Sequence, residues 1–236
     1  MSTTHQIAES SSQMSADLSK IESYISLGDN CEFGFVQRNA GFEPSGLLRW
    51  AIAKPIDVVR FLENIYSEGY SKKFYKFDGL KPFGSKMVLE ETTNFSFHSS
   101  IHSAKNENSG NLEFKNTRNE RLELWNIERE KFHHLFNKFV LTLSGTPTTF
   151  VIKKLPDTDL ELLVRLSELL HEFNDQHSLF VVSVNKEKVG KIEAVNESLT
   201  VGYLEFFASY SEANKCDYEN WMKILEAKIN TCELEK

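Results

Sequence analysis

The stretch Ser26-Leu27-Gly28-Asp29-Asn30-Cys31-Glu32-Phe33-Gly34 decides how this chain is read. A short β-prone run enters it, and a helical run from Cys31 through Gln37 leaves it. Gly28 supplies backbone conformations closed to other residues, while Asp29 and Asn30 form turns or cap helix starts readily. In the helix, Phe33, Val36 and Phe35 are the residues expected to face a core. Cys31 therefore stands at a helix N-terminus, where the macrodipole favours a thiolate, the form of cysteine that attacks acyl groups. That position makes Cys31 a candidate nucleophile. The competing reading is a small buried apolar residue, the commoner state of a free cysteine.

Outward from this turn, Asn39 to Gly46 collects helix-breaking and turn residues. Leu47 to Ala53 is compact and apolar around Arg49 and Trp50, and Pro55 to Tyr66 has the spacing of a second helix, with Pro55 in its first turn. Met87-Val88-Leu89 and Phe95-Ser96-Phe97-His98 read as strands, with Ser96 and His98 on the face opposite Phe95 and Phe97. Lys105 to Asn111 is a polar loop. Arg118 to Leu143 is the longest helical pattern, its apolar stripe formed by Leu122, Trp125, Phe132, Leu135, Phe136 and Phe139. A strand at Thr149 to Ile152, a helix from about Pro156 to Phe173 and a strand at Leu179 to Val184 form a β-α-β unit, for which parallel pairing is expected. Leu199 to Leu204 reads as a β-edge and Tyr218 to Ile229 as a last helix. The expected class is α+β, helix-rich with a central mixed sheet. Residues 1–20 are expected to be a disordered leader, and residues 21–236 a single domain.

At 236 residues and 40% hydrophobic content, the chain can bury a substantial core as one domain. A net charge of -7 argues against broad phosphate-backbone binding, so nucleic acid is a poor partner. The longest apolar runs are too short to cross a bilayer, which points away from a membrane. The Ser/Thr-rich start has no apolar signal core, and three widely spaced cysteines, Cys31, Cys216 and Cys232, fit a reducing, cytoplasmic setting better than a disulfide framework. No CxxC zinc pair exists. Glu130, His133 and His134 share a helix face but lack a further ligand, so neither metal nor cofactor is expected.

The run Ile25 to Arg38, continued by Gly41-Phe42-Glu43-Pro44 and Gly46 to Ala51, resembles a bacterial family of unknown function whose members are described as papain-like cysteine peptidases with a Ser-Leu-Gly-x-x-Cys motif. The resemblance continues in Phe97-His98-Ser99, Arg121-Leu122, Phe150-Val151-Ile152-Lys153, Gly202-Tyr203-Leu204 and Trp221. It implies a papain-like fold, with Cys31 as nucleophile at a helix start and His98 as base on a strand of the facing sheet.

A Cys-His pair works because imidazole takes the thiol proton and later returns it to the leaving group. A sulfur-to-ring separation of about 3 to 4 Å is the expected resting geometry. His102 competes with His98 if the strand continues that far. Asn111, Asp157, Asp159 and Asn185 are candidates for a third residue that orients the imidazole. Asn30 is the adjacent side chain able to donate to an oxyanion beside the Cys31 N–H. No Gln stands at the papain-type spacing upstream, where the chain reads Ile25. Arg38, Arg49 and Gln37 could clamp an anionic group, although salt bridges explain the arginines as well. Tyr203, Phe206, Phe207 and Tyr210 could line a sugar or acyl pocket, although core packing explains them too. The expected activity is thiol-dependent hydrolysis or acyl transfer on an amide or ester, with a small-molecule, peptide or glycan-linked substrate. The alternatives are a non-catalytic papain-like binding module associated with polysaccharide or secondary-metabolite biosynthesis, and an esterase-like use of the Gly-Asp-Asn turn, in which Asn30 takes the position of the nucleophilic Ser.

Overall fold

A computed structural model describes residues 17–234. In chain order the elements are β1 (Ile25–Ser26), α1 (Glu32–Asn39), β2 (Ala51–Ile52), α2 (Pro55–Asn64), α3 (Tyr70–Lys73), β3 (Leu80–Phe83), β4 (Met87–Glu90), β5 (Phe95–His98), β6 (Ser103–Lys105), β7 (Leu112–Phe114), α4 (Arg118–Leu143), β8 (Thr149–Lys153), α5 (Leu160–Phe173), β9 (Ser178–Val184), β10 (Ile192–Ala194), β11 (Leu199–Leu204) and α6 (Tyr218–Leu234). With about 41% helix and 20% strand, helices dominate a mixed α and β architecture, as expected.

Two sheets organise it, beside a small two-stranded β6-β7 sheet. The larger has strand order β1-β8-β9-β11-β10, parallel except for the antiparallel outer strand β10. The β8-α5-β9 unit pairs in parallel, as expected of two strands joined through a helix. Its strands carry apolar side chains on both faces, and Phe150, Val151, Ile152 and Leu179 through Val182 are all buried. That pattern fits a sheet covered on both sides by helices. The smaller sheet, order β2-β5-β4-β3, is antiparallel.

Helix α4 begins with a full capping box, Thr117 and Glu120 exchanging bonds with each other's backbone. Its buried stripe of Phe132, Leu135, Phe136, Phe139 and Leu143 packs among the aromatic rings of Phe61, Phe74, Tyr75 and Phe97. Leu122 and Trp125, expected in the same stripe, are only half-buried.

Two expectations are corrected. Leu199–Leu204 is an interior strand, because β10 folds back in antiparallel register and covers its outer side. The expected leader splits: residues 1–16 lie outside the described residues, whereas Leu18–Ser23 form a 3-10 turn whose Ile21 is wholly buried against α6 and its neighbours. Among the described residues, no helix is long and apolar enough to cross a membrane.

Candidate active site

The Gly28-Asp29 turn joins the two sheets. Leu27 N–H donates to Val151 of β8, extending β1 by one residue, and Asp29 N–H donates to Ala53 just past β2. Because β2 pairs with β5 in antiparallel register, the same turn that carries Cys31 is tied to the strand that carries His98. Glycine is required at the crossing: Gly28 has φ +92°, and a Cβ there would stand 2.7 Å from the Cβ of Ala53. Asp29 follows with φ +75°, a conformation that Asp tolerates better than most residues.

Cys31 is the N-cap residue of α1. Its Sγ lies 3.5 Å from His98 Nε2, with the cysteine half-buried and the histidine exposed. This separation falls in the range expected of a resting thiol–imidazole pair. Phe95, Ser96 and Phe97 are all buried, so β5 is anchored inside its sheet and presents only its last residue, His98, to the surface. The strand stops there. His102 lies beyond it, with its N–H held by Asn116, and does not meet the thiol.

Beneath the pair sits a charge cluster that the sequence did not reveal. Lys153, the last residue of β8, is buried, and its Nζ lies 2.9 Å from both Asp29 Oδ2 and Glu32 Oε2. The contact to Asp29 lacks hydrogen-bond alignment, so that oxygen is held by charge alone. Tyr210 donates to the other Asp29 oxygen at 2.8 Å, and the Trp221 indole donates to Glu32 at 3.0 Å. Phe207 covers the ammonium, its ring centre 4.6 Å from Nζ. A lysine closing an otherwise apolar strand was the signal available in the sequence.

Burial pushes the Cys31 thiol above its ordinary value, and the positive charge of Lys153 only partly opposes it. Desolvation thus opposes the thiolate that the helix N-terminus favours.

The other candidates separate clearly. Asn30 is buried; its Oδ1 accepts from the Glu32 N–H at 2.9 Å, which leaves its Nδ2 covered and without a partner. The Cys31 N–H, among the described residues, makes no hydrogen bond. Among the described residues, no hydrogen bond joins the His98 ring to Asn111, Asp157, Asp159 or Asn185; Asp159 occupies the N-cap position of α5 and Asn185 holds the N–H of Glu187. Arg49 is consumed internally, binding Glu43 and the carbonyls of Gly34, Phe42 and Pro44, while Arg38 pairs with Glu43. Gln37 is buried and donates to the carbonyls of Ile21 and Tyr24. Arg49 and Gln37 are buried and engaged in these bonds, whereas Arg38 is exposed in a surface ion pair. Phe206 and Tyr210 are exposed rather than packed in the core. Among the described residues, no three His, Cys, Asp or Glu side chains converge as a metal site.

Comparison with family models, with curated proteins and with solved structures finds no match to this chain.

Proposed function

We propose that this protein is a thiol-dependent hydrolase or acyltransferase acting on an amide or ester through Cys31 and His98. The 3.5 Å approach of sulfur to imidazole, made between residues 67 positions apart, carries the reading. A papain-like arrangement is supported by a cysteine at a helix start facing a histidine on an antiparallel sheet.

With a thiol that burial keeps protonated, His98 acts as a general base rather than as half of a preformed ion pair. In the tautomer with the proton on Nδ1, Nε2 takes the S–H proton as sulfur attacks the carbonyl carbon. The oxyanion is received by the unoccupied Cys31 N–H, with the adjacent Asn30 Nδ2, which has no partner among the described residues, as the second donor. Imidazolium then protonates the departing amine or alcohol, and a thioester remains on Cys31. Water or another acceptor loses its proton to His98, attacks the thioester, and the proton returns to sulfur as the acyl group leaves.

A second reading, ester hydrolysis in the manner of Gly-Asp-Ser enzymes, is favoured by one observation. The Gly28-Asp29-Asn30 turn follows the carboxyl end of parallel strand β1, where open parallel sheets bind ligands. Cys31 then serves one position beyond the usual serine.

The test is p-nitrophenyl acetate with peptide-resolved mass spectrometry. A burst of nitrophenolate and one acetyl group on Cys31, both absent from Cys31→Ala and strongly reduced in His98→Ala, are expected. A folded protein that leaves Cys31 unacetylated would refute the catalytic reading and favour the binding module.

A further inference from the structure

The segment that carries His98 is held by a carboxylate from a distant helix. Glu128, half-buried on α4, accepts from the Ser99 hydroxyl at 2.7 Å and the Ser100 N–H at 2.6 Å, and from the Tyr75 hydroxyl at 3.0 Å. Ser99 and Ser100 are the two residues that follow His98, at the point where β5 ends and its pairing with β4 runs out. The Ser99 N–H donates to Lys86 and its hydroxyl also accepts from the Ile101 N–H, so the turn is closed on several sides around this one carboxylate. The platform behind Glu128 is rigid: Phe132, one turn along α4, packs 4.0 Å between ring centres from Tyr75 and 4.9 Å from Phe97, the residue before His98. Bonds to an ionised acceptor are shorter and stronger than neutral ones, and here they fall on both carboxylate oxygens.

We propose that Glu128 is the positioning residue for His98, holding the end of β5 so that the imidazole meets the Cys31 sulfur. The inference rests on the Cys31–His98 pairing and adds to it a residue that touches neither reacting group. None of the orienting candidates suggested by residue order fills this place; Glu128 acts through the backbone on the far side of the histidine. An exposed imidazole has few packing neighbours to fix it, so its placement depends on the chain that carries it. Misplacement by about 1 Å is enough to cost large factors in a proton-transfer pair.

The experiment measures iodoacetamide alkylation of Cys31 across pH, resolved by peptide, in wild type, His98→Ala, Glu128→Ala and Glu128→Gln. Wild type is expected to exceed His98→Ala at neutral pH. Glu128→Ala is expected to fall about tenfold, to the rate and profile of His98→Ala. Glu128→Gln is expected to recover part of the difference, since its carbonyl oxygen can accept from Ser100 while its amide donates to the hydroxyls of Ser99 and Tyr75. A role in stability alone would lower the unfolding temperature and leave the pH profile unchanged. If Glu128→Ala keeps the wild-type profile while His98→Ala loses it, the positioning role is overturned and the pair stands. If wild type and His98→Ala coincide, the pairing fails and the positioning role fails with it. Should Glu128→Ala not fold, Ser99→Ala removes one arm of the same tether and is judged by the same comparison.

Discussion

Replacing Lys153 with Met leaves two buried carboxylates without their cation. Asp29 is 1% exposed and Glu32 is fully buried, and each has an oxygen 2.9 Å from Nζ. At an effective dielectric of about 20, one such contact is worth about 6 kcal/mol of gross attraction. Repulsion between the two carboxylates and the desolvation of all three charges cancel much of the sum, so the net worth of the cluster is small. Removing one partner is a different operation, because the desolvated charges stay behind. Tyr210 still serves Asp29 and Trp221 still serves Glu32, but neither supplies positive charge. The expected loss is about 3–5 kcal/mol, measured by urea unfolding with linear extrapolation. Adding Asp29→Asn and Glu32→Gln to Lys153→Met should recover most of it. The Cys31 thiol should also titrate at still higher pH in Lys153→Met, since the opposing positive charge is gone. A loss below about 1 kcal/mol, the scale of a surface pair, would refute the picture of a desolvated cluster. So would a triple variant no more stable than the single one.

Gly28→Ala should cost about 3 kcal/mol, combining the left-handed backbone at φ +92° with a Cβ placed 2.7 Å from that of Ala53. Adding Ala53→Gly should return the steric part only; thermal unfolding of the single and double variants checks this, and full recovery would show that the backbone conformation costs nothing. Stability should fall as pH rises above about 9, because burial pushes the Cys216 thiol up to about 11. The folded chain then keeps a proton that the unfolded chain has lost, so unfolding is favoured by alkali, by about 1 kcal/mol once pH passes the folded value, since solvent screens this partly exposed thiol. Cys216→Ala should flatten the decline in the unfolding free energy between these limits, and an unchanged slope would count against the assignment.

Much of the fold was legible. Helix α4 runs from Arg118 to Leu143 as its periodicity indicates, and β4, β5, β8 and β9 lie within a residue or so of their expected bounds. Apolar spacing is local, so it survives folding unchanged. The role of Leu199–Leu204 was misjudged because edge or interior depends on whether β10 returns alongside it, which is a matter of pairing between distant segments. The thiolate favoured at Cys31 by its helix N-terminus is opposed for a similar reason. A helix N-terminus is visible in the residue order, but the burial that desolvates sulfur is assembled from other parts of the chain.

By itself, the sequence determined the turn at Gly28, the cysteine at a helix start, the histidine at the end of an aromatic strand and the parallel β-α-β unit, because each is written in neighbouring residues. Tertiary structure alone decided that Cys31 meets His98 rather than His102, that Arg49 is spent on backbone carbonyls, and that Lys153 and Glu128 stand behind the pair. Hydrogen bonds and ion pairs act over a few ångströms, and only the joining of two sheets at one turn brings residues so distant in the chain within that reach.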